Sequence, residues 1–135
     1  MTMGSDFAAT GKPLRWPAVA TAIAGASAVL LGALGAHALR TELPASMLEV
    51  WETAVRFQFW HALALAVCAV SARRSHARQL ASVLFTLGIV LFCGSLYALA
   101  LGAPRSVGIV TPLGGIALVA GWIALGVMLY QRKQA

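Results

Sequence analysis

Four apolar runs, each about twenty residues long and so long enough to cross a bilayer, fill most of the chain between Trp16 and Tyr130. They cover approximately Trp16–Leu39, Thr53–Ala72, Leu80–Leu101 and Val110–Tyr130, and nearly all of the charge falls outside or at the ends of them. A helix of this length crosses the ~30 Å hydrocarbon core of a membrane. Inside that core no water is present to bond the peptide groups, so each must be satisfied within its own helix. Short connections make consecutive helices antiparallel neighbours. The expected fold is therefore all-α: a four-helix transmembrane bundle running up and down. Composition agrees: 60% of the 135 residues are hydrophobic and only 10% are charged, where soluble domains carry about 25%.

Residues 1–15 read as a flexible cytoplasmic tail, and 16–135 as one transmembrane domain. Lys12 and Arg15 before an apolar run, with Ala36-His37-Ala38 after it, imitate a signal peptide. The run exceeds the 7–15 residues of such a segment, so it is expected to stay as the first span. Pro44 can open a helix. Leu43, Met47, Val50, Trp51 and Ala54 then form an apolar stripe, with Glu49, Glu52 and Arg56 on another face. A short amphipathic segment at the interface is expected there, running directly into the second span. Glu52 and Arg56 are spaced for an interfacial i,i+4 ion pair.

The +6 net charge is distributed as a topology signal. One side of the membrane receives Lys12, Arg15, Arg73, Arg74, Arg78, Arg132 and Lys133, the other Arg40, Arg56 and Arg105. The first side, with both termini, is therefore expected to be cytoplasmic. Trp16 and Tyr130 would mark the inner interface and Trp51 the outer one. The basic residues form no single clustered face, which argues against nucleic acid as a partner. The lipid bilayer is the partner that composition implies.

Small residues recur at helical spacing: Ala20, Ala24, Ala28, Gly32 and Ala36 in the first span, Gly94, Ala98 and Gly102 in the third, and Gly114, Gly115, Ala117 and Gly121 in the fourth. Such rows let helices approach closely, and close contact supplies the association that lipid does not drive. Ala24, Ala28, Gly32, Gly94, Ala98 and Gly121 are the packing candidates.

Polar groups inside spans are few. His37, Gln58, His61 and Ser95 are placed to converge in the outer half of the bundle, either as a polar pocket or as hydrogen-bonding glue between helices. Arg56 lies near a membrane end, where it can snorkel. His61 and Cys68 are about 10 Å apart along a helix and cannot share one ion. Cys68 and Cys93 read as small apolar residues, and His76 as solvated. With Asp6 the only aspartate, a Ser–His–Asp triad is excluded. No phosphate loop of known spacing occurs. No catalytic, metal or cofactor motif stands out, and an enzyme is not expected.

Several segments together carry a family likeness: Gly32-Ala33-Leu34-Gly35-Ala36-His37, then Trp51-Glu52-Thr53-Ala54 leading into Gln58 and His61-Ala62-Leu63-Ala64-Leu65, then Gly94-Ser95-Leu96-Tyr97, Thr111-Pro112-Leu113-Gly114-Gly115 and Gly121-Trp122. In this order they resemble the domain of unknown function 423 family, also called transmembrane protein 256-like, over roughly Ala20 to Leu129. Phe57 departs from the pattern, standing where a tyrosine before the glutamine is expected. The resemblance implies a four-helix protein of the bacterial inner membrane and no known functional residues. Two functions stay open: a structural or interaction protein, alone, as a homo-oligomer or with other membrane proteins; or a small-solute or proton transporter built as an oligomer around the outer polar cluster.

Overall fold

The structure is a computed structural model that describes residues 15–71 and 74–133. Apart from Arg15, the tail expected over residues 1–15 lies outside the described residues. Five helices follow one another: α1 Trp16–His37, the single turn α2 Leu39–Glu42, α3 Ala45–Val70, α4 His76–Ala100 and α5 Val110–Lys133, the last preceded by a 3-10 turn Arg105–Ile109. α1, α3, α4 and the helix through α5 are each long and apolar enough to cross a membrane. The four-helix transmembrane architecture expected from the sequence is the one found, with no strand among the described residues.

Local chemistry sets the helix ends. Pro17 sits in the first turn of α1, where its missing N–H removes no bond. Pro44 caps α3 in an extended conformation. The amphipathic segment is thus the first turns of α3 itself, continuous with the second span. Ser75 opens α4, its side chain accepting the Arg78 amide at 3.1 Å. α4 therefore starts at His76, earlier than the expected Leu80, and takes Arg78 into the helix. Gly102, at φ 95°, lets the chain turn after α4.

Large apolar side chains cover the outside, among them Val19, Ile23, Leu30, Val70, Ile109, Ile116 and Ile123. A water-facing surface would not carry them, and lipid is the solvent that accepts them. The densest core lies between α3, α4 and α5, around Leu65, Cys68, Phe85, Leu118, Leu125 and Met128.

Glycines set how near the spans come. A Cβ on Gly114 would lie 2.7 Å from the Phe92 Cα, so α5 presses on the α4 backbone itself. A Cβ on Gly121 would meet the Phe85 ring at 2.8 Å. Between α1 and α3, Ala24 and Ala28 are buried, and a Cβ on Gly32 would sit 3.3 Å from Val55. Gly94 is different from expectation. It is exposed and a Cβ there would meet nothing within 4 Å, while Ala98 is half-buried. A π-type turn at Ile89–Cys93 lies just before Gly94. Trp51 is 2% exposed, seated where Gly35 leaves room.

Gly114→Ala is expected to lower the thermal stability of the detergent-solubilised protein by about 1–3 kcal/mol, as overpacking against backbone does. Gly94→Ala, facing open space, should hold or raise it by up to about 1 kcal/mol through helix propensity. Melting curves of the two variants check the pair.

Candidate functional site

A polar network joins three spans near mid-membrane. Gln58 on α3 is 5% exposed. Its Nε2 donates to the Ala24 carbonyl at 2.9 Å and to the Ser27 Oγ at 2.7 Å, both on α1. Its Oε1 accepts the Tyr97 hydroxyl of α4 at 2.9 Å. Ser27 in turn donates to the Ile23 carbonyl at 2.6 Å. The amide therefore uses both ends, and each group it touches is also occupied. Ala24 lies eight residues beyond Trp16, about 12 Å along a helix, which puts the network deep within the span. Two turns outward, Trp51 repeats the pattern. Its Nε1 donates to the Leu31 carbonyl at 2.9 Å, and its ring meets Tyr97 edge-on at 4.7 Å.

The four residues of the expected cluster go to different places. Gln58 faces α1 and Tyr97. Ser95 bonds Thr111 across to α5 at 2.7 Å, in the outer half. His37 is exposed at the end of α1. His61 lies one turn below Gln58, among the rings of Phe57, Phe85 and Trp122 at 5.7–6.1 Å between centroids. Its Nδ1 meets the Phe57 carbonyl at 2.6 Å. A carbonyl only accepts, so Nδ1 carries the hydrogen, and in the neutral ring Nε2 is left as an acceptor. His61 lines a shallow groove of about 420 Å³ with Trp60, Ala64, Val67, Trp122 and Leu125. Glu52 and Arg56 are both exposed, and the structure records no ion pair between them.

A second groove, about 440 Å³, runs between α1 and α4, with Gln58, Ser27 and Tyr97 among its lining residues and apolar side chains elsewhere. Among the described residues no group of three His, Cys, Asp or Glu is placed to hold a metal ion.

Arg78 is legible in the sequence only as part of a basic loop. In the structure it is 6% exposed. Its Nε donates to the Cys68 carbonyl at 2.7 Å and its NH2 group to that of Ala69 at 3.4 Å. These are carbonyls from the last turn of α3, which have no partner within their own helix. A cation at that negative end of the helix dipole is favourable. The signal available in the sequence is Ser75 three residues before Arg78, an N-cap that pulls the arginine into a helix.

The profile of the family described as a protein of unknown function, DUF423, matches residues 31–115. The chain is similar to a UPF0382 membrane protein of Staphylococcus saprophyticus, 43% identical over 73% of this chain and 82% of the relative. It is likewise 43% identical to the UPF0382 membrane protein YwdK of Bacillus subtilis, with the same coverage of 73% and 82%. The UPF0382 inner membrane protein YgdD of Escherichia coli is 38% identical over 88% of this chain and 94% of its own length. No solved structure matches.

Gln58→Leu should leave the Tyr97 hydroxyl and Ser27 without their shared partner and cost about 1–3 kcal/mol. In a double-mutant cycle with Tyr97→Phe, the coupling is expected near 0.6 kcal/mol and not above about 1.7, the range of bonds between membrane helices.

Proposed function

The chain belongs to the DUF423 family of membrane proteins of unknown function, and on that footing we propose that it is a non-catalytic interaction protein. It would work in the bacterial inner membrane with both termini cytoplasmic, as a homo-oligomer or with other membrane proteins. One observation carries this reading. Only 11% of the membrane-crossing stretch of α1 is buried, against 33–39% in the other three spans. α1 is nonetheless fixed in orientation by Gln58 and Trp51. It uses Ala24 and Ala28 against α3 and leaves a second set of alanines, Ala18, Ala22 and Ala26, exposed at spacing four. A helix tied to α3 by these bonds, with small residues outward, suits close approach by another helix. The relatives' names include no enzymatic term, which agrees with a role other than catalysis.

A second reading, proton or small-solute transport by an oligomer, has one observation in its favour. His61 is deep in the span, and only its Nδ1 has a partner in the structure. Ionisable groups at such depth are functional candidates by default.

Two experiments separate these readings. Ala26→Cys in native membranes is expected to give a defined cross-linked species of fixed mass, absent with Val119→Cys on the lipid-facing side of α5. Equal or absent cross-linking at both positions contradicts the interaction reading. A proton flux in proteoliposomes that disappears with His61→Ala would establish transport instead.

A further inference from the structure

At the arginine-rich end of the bundle a cavity of about 230 Å³ opens between the start of α1 and the start of α4. Its lining is Pro17 from α1, with Arg74, Ser75, His76, Arg78, Gln79 and Ser82. No acidic residue is among them.

The charge balance at this cavity is one-sided. Arg78 is 6% exposed, and its two hydrogen bonds go to neutral carbonyls. A guanidinium has five N–H donors, so three remain beyond these two. Among the described residues the carboxylates are Glu42, Glu49 and Glu52, all at the opposite end of α3. Glu52 is sixteen residues from Cys68, about 24 Å along the helix, beyond the Debye length at physiological salt. A buried cation in a cavity, with a second arginine at the rim and no carboxylate near it among the described residues, suits an anionic ligand.

Position selects the kind of anion. The cavity lies where two spans begin, at the start of α1 beside Trp16, and in a membrane-crossing bundle that level falls in the headgroup layer. Leu80 and Val83, adjoining Gln79 on α4, are exposed apolar residues deeper in the same span. A lipid with its phosphate in the cavity would have this surface for its acyl chains. A free phosphate would leave it unused.

We infer that the cavity is a binding site for the phosphate of an anionic membrane lipid, with Arg78 and Arg74 meeting the charge and Gln79 and Ser75 supplying further donors. Basic cavities at the ends of membrane helices suit such headgroups. The inference is independent of the interaction reading above, since it concerns neither the exposed face of α1 nor oligomeric state.

Native mass spectrometry of the delipidated full chain tests it, with phosphatidylglycerol and phosphatidylcholine added in turn. Phosphatidylglycerol is expected to bind preferentially. Arg74→Gln, an exposed position, should weaken that binding about fivefold, the worth of one arginine facing an anionic lipid surface. Arg105→Gln, at the other end, should leave it unchanged, and Arg78→Lys should weaken it while keeping the charge. Inorganic phosphate added in excess should not displace the lipid. Equal binding of the two lipids, or an equal loss with Arg105→Gln and Arg74→Gln, overturns the site. Displacement by inorganic phosphate alone overturns the lipid as its occupant.

Discussion

Peptide groups in hydrocarbon have no partner but each other, and every other feature of this protein depends on that restriction. It sets helices as the form of all four spans and confines the irregular backbone, at 38, 43–44, 71, 74–75 and 101–104, to their ends. The same restriction governs side chains. Thr21, Thr86 and Ser82 each return a hydrogen bond to the carbonyl four residues earlier, at 2.8–2.9 Å. Among the described residues no buried side-chain nitrogen or oxygen is left without a partner. The last turn of α3 meets the same demand through Arg78.

Association of the spans is a separate problem, because lipid tails are as apolar as leucine and give no drive to bury it. Two solutions appear in one molecule. α4 and α5 join by contact, with Gly114 and Gly121 letting backbone and ring approach directly. α1 adds direction to close contact: besides Ala24, Ala28 and Gly32, two bonds run from α3 to its carbonyls, Gln58 to Ala24 and Trp51 to Leu31. Tyr97 completes the second solution by bonding Gln58 and packing on Trp51 together. Phe57 packs on Phe92 at 4.8 Å, while the phenol that reaches Gln58 is that of Tyr97 on α4.

Spans, loops and the start of α3 at Pro44 are legible in the sequence because hydropathy and proline act locally. So is the packing role of Ala24, Ala28, Gly32 and Gly121, which lie on regular helix. Gly94 escapes such a reading because a row of small residues does not say whether its face meets a neighbouring helix, and a Cβ at Gly94 would meet nothing within 4 Å. The expected polar cluster rests on depth alone. Depth does not give azimuth: three residues along one helix, Gln58 faces α1 and α4 while His61 lies against Phe85 and Trp122. Arg78 is hidden for a related reason. An arginine in a basic stretch is usually solvated, and only the tertiary meeting of α3 and α4 turns this one inward.

The spans themselves are tested most directly by which side of a sealed vesicle each loop can be reached from. Cysteines at Thr41, Arg74 and Ser106, read with a membrane-impermeant maleimide, answer this cleanly, because native Cys68 and Cys93 are buried. Thr41→Cys and Ser106→Cys should label from one face and Arg74→Cys only from the other. Labelling of all three from the same face would mean that the apolar helices do not cross the bilayer.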